Sequence, residues 1–272
     1  MDKIILWEAH RGGGGGYEMP EGCPLSFEYG WMLGGIPEAD VNMTADGVMI
    51  SLHDPTLQRI TDAPSEIATC PVGELTLAEV RRWSVGGKDY PGQHIPTIAE
   101  LLEKLRENPA RQIIIDYKRV DLELLAGMIR DYGVVRQVTF AFCDPAICGT
   151  IKRLLPEITI KQWVGGNAES IKNTFREAEK AGFRGFEQIQ LHLNDLAAPR
   201  PEWRYQLEPE FLSEALPITR DHGVLLQVLP WNFEREDLHR LLSLGIRSFA
   251  VDYPHKFCRL SSEWFALNCW KR

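Results

Sequence analysis

Short continuous apolar runs alternate along the chain with longer stretches in which apolar residues recur every three or four positions. Lys3–Ala9 is a run of strand length, as expected of a strand buried on both faces. A glycine run follows, and Pro24–Leu33 reads as a short helix. Ile36–Asn42 predicts a second strand, and Val48–Leu52 continues extended after the turn Ala45-Asp46-Gly47. Pro96–Arg106 opens on proline and sets Ile98, Leu101, Leu102 and Leu105 at helical spacing.

From there the two patterns keep strict time. Gln112–Tyr117 is a third strand, Asp121–Tyr132 a helix and Val135–Phe142 a fourth strand. A helix from Asp144 or Pro145 to Leu155 leads to strand Ile158–Trp163. Helix Ala168–Ala181 ends at Gly182, a C-terminal glycine signal, before strand Gly185–Leu191. Helix Pro209–His222, strand Val224–Pro230, helix Arg235–Leu244, strand Arg247–Asp252 and a helix after Pro254 complete the series.

Eight strands alternating with helices favour a parallel sheet. In a chain of 272 residues they close most naturally into a (β/α)8 TIM barrel, with an open doubly wound sheet as the alternative. No Gly-x-Gly-x-x-Gly links a strand to a helix, which weakens any dinucleotide reading. One segment breaks the rhythm: residues 55–95 are too long for an ordinary loop and carry one helical patch, Thr76–Trp83. They read as a small insertion within a single domain, between strand two and its helix, at the rim where barrel active sites lie.

Composition narrows the function. At 44% hydrophobic and 25% charged residues this is a globular chain with ample core material. A net charge of −8 argues against duplex nucleic acid or an anionic membrane surface as partner, so attraction for a phosphate ester must be local. The six cysteines include no Cys-x-x-Cys and read as reduced structural thiols. No charged-plus-apolar leader precedes Lys3, and no apolar stretch approaches the roughly 18 residues that span a bilayer. A cytoplasmic protein without stable membrane insertion is expected; its oligomeric state is not legible.

The chemistry gathers at strand ends. His10, Arg11, Glu38, Asp40, His53, Asp116 and Lys118 all lie at or just past predicted strand ends, which in a barrel converge on one mouth. Glu38 and Asp40 are two apart and share a strand face. With Asp116 they offer three hard oxygen donors, suited to Mg2+ or Ca2+ rather than zinc. A phosphodiester needs its charge neutralised, its nucleophile activated and its leaving oxygen protonated. Arg11 and Lys118 with the metal can do the first, His10 and His53 the others. The remaining histidines, 94, 192, 222, 239 and 255, read as structural.

These residues resemble the glycerophosphodiester phosphodiesterase family, of the phosphatidylinositol-phospholipase-C-like TIM barrels. The family's His-Arg-Gly is similar to His10-Arg11-Gly12, and its Pro-Glu-Asn-Thr to Pro20-Glu21, with Gly22-Cys23 replacing Asn-Thr. Its Glu-x-Asp-Val and Thr-x-Asp-Gly resemble Glu38-Ala39-Asp40-Val41 and Thr44-Ala45-Asp46-Gly47. Its His-Asp and Leu-x-Arg-x-Thr resemble His53-Asp54 and Leu57-Gln58-Arg59-Ile60-Thr61. Further on come Ile95-Pro96-Thr97-Ile98-Ala99-Glu100, Asp116-Tyr117-Lys118 for Glu-x-Lys, and Asp252-Tyr253-Pro254 for Asp-x-Pro. The segment after His53 corresponds to the family's insertion.

The resemblance implies one divalent metal, Mg2+ or Ca2+, on Glu38, Asp40 and Asp116, with His10 and His53 as the acid–base pair. Arg11 and Lys118 would bind the phosphate, and Trp231 would stack on the glycerol carbons, with plain packing as its other reading. The implied reaction takes a small-molecule glycerophosphodiester to glycerol 3-phosphate and an alcohol. Two other functions stay open: a non-catalytic barrel holding a phosphorylated ligand, and a phosphodiesterase for lysophospholipids. The latter would want an apolar rim, for which the insertion offers Leu75, Leu77, Val80, Trp83 and Tyr90. Three features depart from the pattern. Asp116 is one methylene shorter than the usual Glu, and Trp231 lies one residue off the expected spacing to Gly245. The run Gly12–Gly16 either wraps a phosphate or stays mobile.

Overall fold

The structure, a computed structural model, describes residues 4–269. It begins with β1 (Leu6–Ala9), α1 (Pro24–Met32), β2 (Ile36–Met43) and β3 (Met49–Ser51). Two single-turn helices, α2 (Ser65–Ala68) and α3 (Leu77–Val80), precede α4 (Ile98–Glu107) and β4 (Ile113–Tyr117). Then α5 (Leu122–Asp131), β5 (Val138–Phe142), α6 (Pro145–Leu154), β6 (Thr159–Val164) and α7 (Ala168–Lys180) alternate. The last elements are β7 (Gln188–Leu193), α8 (Pro209–Asp221), β8 (Leu225–Pro230), α9 (Arg235–Leu244), β9 (Ser248–Val251) and α10 (Pro254–Cys269).

Eight of the strands are parallel and close on themselves. The order is β1-β9-β8-β7-β6-β5-β4-β2, and β2 pairs back to β1 through Glu8↔Ile36. This is a TIM barrel. The ninth strand, β3, runs antiparallel to β2 (Val41↔Ser51), so the turn Ala45-Asp46-Gly47 reverses the chain in a hairpin and leaves β3 outside the barrel.

Side-chain caps set several helix starts. Thr97 and Glu100 form a reciprocal capping box on α4, and Asp121, Asp144 and Asn167 cap α5, α6 and α7. Gly245, at φ 103°, stops α9. Three expected boundaries move. The first strand starts at Leu6, and Lys3 lies outside the described residues. Residues 135–137 form a 3-10 turn before β5. The strand expected at 185–191 is found at Gln188–Leu193, and Gly185, at φ 96°, lies outside the β region. That shift draws His192 into the strand.

Core packing divides in two around the barrel, with one cluster under α4 to α6 and another under α7 to α10. A third, smaller cluster belongs to the segment after β3 and gathers Ile50, Leu52, Leu57, Val72, Leu75, Val80, Val85 and Ile95. Leu77 and Trp83 pack against it, so four of the five apolar residues considered for a lipid rim serve this core instead. Among the described residues no helix is long and apolar enough to cross a membrane.

The barrel interior is polar where most TIM barrels carry branched aliphatics. Lys161 of β6 is wholly buried and ion-pairs with Glu8 of β1. Gln190 of β7 donates to Glu8 at 3.3 Å and to Gln227 of β8 at 2.6 Å. Gln227 in turn donates to Ser248 of β9 at 3.2 Å. Glu8 Oε1 has no partner, and burial pushes the carboxyl up to about 8 against the pull of Lys161.

Candidate active site

The mouth is built at the C-terminal ends of the strands. β1 ends at Ala9, so His10 emerges at the rim and the chain turns at once: Arg11 adopts φ 54°. A non-glycine residue there is strained and needs an outside tie. Glu38 of β2 supplies it, accepting the Arg11 backbone N–H at 3.1 Å.

The first four residues of the glycine run after Arg11 are packed between α1 and the end of β9. A Cβ on Gly13 would meet Ser26 at 2.8 Å, and one on Gly14, at φ 92°, would meet the Asp252 carbonyl oxygen at 2.5 Å. Gly15 donates its N–H to Asp252 Oδ1 at 3.1 Å. That same oxygen accepts His10 Nδ1–H at 2.6 Å. The glycines thus bring the backbone close enough to help fix the carboxylate behind His10.

His10 Nε2 lies 3.6 Å from Glu38 Oε2. Burial opposes a charge on this imidazole, but Glu38 and Asp252 outweigh it and raise its pKa to about 9. Burial also opposes the Glu38 charge, and His10, Lys161 and Lys118 overcome it, holding the carboxyl well below its usual range.

His53 arrives from the segment after β3. Its Nδ1–H donates to Asp54 at 2.8 Å, and its Nε2 faces Arg11 Nη2 at 3.2 Å. Burial, with Lys118 and Arg11 nearby, lowers its pKa below the ordinary imidazole value despite the hydrogen bond to Asp54.

The three carboxylates come together on adjacent strands. Asp40 and Asp116 are register partners of β2 and β4, and Glu38 lies two residues back on the same face. Lys118 sits between the first two, its Nζ 3.0 Å from Asp40 and 2.5 Å from Asp116. Burial first, then crowding by Glu38, raises both Asp40 and Asp116 above the normal range despite Lys118. Burial works against the Lys118 charge too, and the two aspartates override it, shifting the ammonium upward. As they stand, no three His, Cys, Asp or Glu side chains among the described residues are placed to hold a metal ion, since the ammonium lies between the carboxylates.

The opposite arc of the mouth is aromatic. Trp163 of β6 donates Nε1–H to Asp116 Oδ1 at 2.9 Å and stacks on His192 of β7 with centroids 5.5 Å apart. Trp231, just past β8, sets its ring against both His192 and His10, at 5.3 and 5.6 Å. Asn194 anchors the Trp231 N–H at 3.1 Å. Burial depresses His192 to about 4.

All eight residues singled out in the sequence therefore meet at one mouth. The sequence reading assigned no role to Asp252, Glu21 or Arg59, although all three stand in quoted motifs. It left Trp163 unremarked and classed His192 as structural. The available signal was parity: Trp163 and His192 share the inward face with Lys161 and Gln190, two residues earlier on each strand.

Residues 10–256 match the model of the glycerophosphoryl diester phosphodiesterase family. The chain belongs to that family. As a member it is an enzyme, a glycerophosphodiester phosphodiesterase. The match begins at His10 and passes Asp252, so it encloses every mouth residue described. A glycerophosphodiester phosphodiesterase of Caldanaerobacter subterraneus is 24% identical over 96% of this chain and 98% of its own length. Among solved structures, a glycerophosphodiester phosphodiesterase from Agrobacterium tumefaciens superposes with a TM-score of 0.74 at 19% identity, covering 94% of this chain and all of its own. An Oleispira antarctica phosphodiesterase in complex with the product sn-glycerol-3-phosphate gives 0.70 at 20% identity, covering 95% and 97%.

Proposed function

We propose that this phosphodiesterase hydrolyses a glycerophosphodiester to glycerol 3-phosphate and an alcohol, using one divalent metal and His10 and His53 as acid and base. One observation carries the reading. Each imidazole is fixed through Nδ1 by its own carboxylate, and each turns Nε2 toward the space around Arg11 and Glu38. The product complex of the Oleispira relative supports the glycerol side of the assignment.

The donor set fits a hard cation. Asp40 and Asp116 share the Lys118 ammonium, and burial first, with Glu38 beside them, raises both carboxyls, so a divalent cation among these hard oxygens would offset the cost of their buried charge. Glu38, Asp40 and Asp116 would hold Mg2+ or Ca2+, with Lys118 giving up part of its pairing. The bound ion would neutralise charge on the phosphoryl oxygens.

The chain's own residues do the rest. Arg11 and Lys118 bind nonbridging oxygens. His53, held neutral, takes a proton at Nε2 from the attacking water as its oxygen bonds to phosphorus. The bond from phosphorus to the alcohol oxygen breaks, and His10 delivers the proton from Nε2 to that oxygen. Trp231 packs on the glycerol carbons. Four of the five apolar residues considered for a lipid rim pack into the small core, so a water-soluble diester is the better-supported substrate. We also read the protein as cytoplasmic.

The test is release of glycerol 3-phosphate from glycerophosphocholine and related diesters, followed by phosphorus NMR. Turnover should vanish in EDTA and return with Mg2+ or Ca2+. Full activity in EDTA would overturn the metal, and no turnover of any diester would leave a phosphate-binding barrel.

A further inference from the structure

Glu21 and Arg59 take no part in the chemistry just described, yet the structure spends an unusual number of bonds on them. Arg59 donates Nε–H and Nη2–H to the two oxygens of Asp54, at 2.7 and 3.1 Å. It also donates from Nη1 and Nη2 to the two oxygens of Glu21, both at 2.6 Å. Two forks on one guanidinium use four of its five hydrogens and leave no fork for a phosphate.

Each carboxylate continues the chain. Asp54 Oδ1 accepts His53 Nδ1–H, and Glu21 Oε2 accepts Arg11 Nη1–H at 3.1 Å. Arg11 Nη2 then meets His53 Nε2. Five side chains close a ring: His53, Asp54, Arg59, Glu21, Arg11 and back to His53. The ring dictates a tautomer. Asp54 only accepts, so Nδ1 carries the hydrogen; Arg11 only donates, so Nε2 presents its lone pair.

We propose that Glu21 and Arg59 are positioning residues that lock Arg11 and His53 into one unit, with His53 Nε2 held ready to accept a proton. A phosphate oxygen competes for the Arg11 Nη2 hydrogen, and in taking it frees Nε2 for the proton of water. The segment after β3 supplies both His53 and Arg59, and through Arg59 and Glu21 it sets the geometry of Arg11, which lies outside it. The proposal rests on the reading of His53 as base. The charged groups facing His53 are Asp54, Arg11 and Lys118, with Arg59 behind Asp54.

The experiment compares Arg59→Met, Arg59→Lys, Glu21→Gln and the Arg59→Met/Glu21→Gln double variant with the wild type. It reads kcat, KM, the pH profile of kcat/KM and the His53 imidazole by 15N NMR titration without substrate. Arg59→Met should lower kcat by about 10- to 100-fold. Its acid limb should move to higher pH, because an Asp54 no longer neutralised by Arg59 favours the imidazolium. Arg59→Lys should restore the limb, since the charge remains, but not kcat, since an ammonium cannot fork two carboxylates. The double variant should be no worse than its worse parent, because a ring opens only once. An unmoved limb in Arg59→Met, or fully multiplicative losses, would overturn the proposal. If Arg59→Met does not fold, Glu21→Gln carries the same readouts, with KM rising as Arg11 loosens. If the wild type turns over no diester, the functional reading fails and NMR still decides the ring: an unchanged His53 titration and tautomer in the variants would sink it.

Discussion

His10 and His53 present the same nitrogen to the same space, and the fold holds them by different means. His10 follows directly on barrel strand β1. Its carboxylate, Asp252, lies 242 residues away in sequence, and closure of β1 on β9 brings the two together. Close packing adds to this, because Gly14 and Gly15 pass so near Asp252 that a Cβ on either would clash with it. His53 stands at the rim. Its carboxylate is its sequence neighbour, and a ring of ion pairs steadies both. The first support is shape and the second is charge. A shape-based support responds to added volume and ignores salt; a charge-based one responds to lost partners and to pH.

The largest effects remove the imidazoles. His10→Ala and His53→Ala should each lower kcat/KM by roughly 10²- to 10⁴-fold with the circular dichroism spectrum unchanged. Retained activity in either variant would remove that residue from the chemistry. Next come the carboxylates. Asp252→Asn should cost about 10²-fold or more, since an amide nitrogen facing Nδ1 forces the wrong tautomer. Asp54→Asn should cost less, because Asp54 is partly exposed and Arg11 still orders His53 from the other side. Equal losses would mean the two supports are equivalent after all.

Third is a volume test. Gly14→Ala puts a methyl against the Asp252 carbonyl at φ 92° and should destabilise by about 1–3 kcal/mol, lowering kcat as well as Tm. Gly47→Ala, at φ 78° with nothing within 4 Å, should cost about 1 kcal/mol of stability, read as a lower Tm, and leave kcat untouched. If both behave alike, the glycine run has no special tie to Asp252.

The smallest effect is in the wild-type pH profile. The folded fold depresses His53 below its unfolded value of 6.5, so the neutral, active form persists below that pH. Activity falls as pH drops through this lowered pKa, and at the basic end it falls as His10 gives up its proton near pH 9; the stability tied to His53 is present above 6.5 and lost on acidification. An acid limb above 6.5 in the kcat/KM profile would contradict this.

Much of this was legible in the chain. Continuous apolar runs mark strands buried on both faces, and eight of them in register with helices leave little but a barrel. The histidines, Arg11 and the carboxylates announce themselves because each follows such a run. What escaped depends on closure. Nothing local to Asp252 says that β9 will lie beside β1. Nothing local to Lys161 says that Glu8 will face it across the barrel. His192 reads as structural from the chain alone because no motif or neighbouring charge singles it out; its place beside Trp163 and Trp231 follows only from barrel closure. The Val48–Leu52 run is extended as expected, but only hydrogen bonding reveals that it turns back on β2.

The buried pair of Lys161 and Glu8 has a consequence in time. Its partners are 153 residues apart, on β6 and β1, so the pair forms only when those two strands face each other across the barrel. A contact completed after the folding barrier acts on unfolding alone. Lys161→Met should therefore speed unfolding while leaving the refolding rate nearly unchanged, and replacing both residues by methionine should recover much of the loss. The ion pair beneath the mouth works as a latch on the closed barrel, governing how long each molecule stays folded once it has folded.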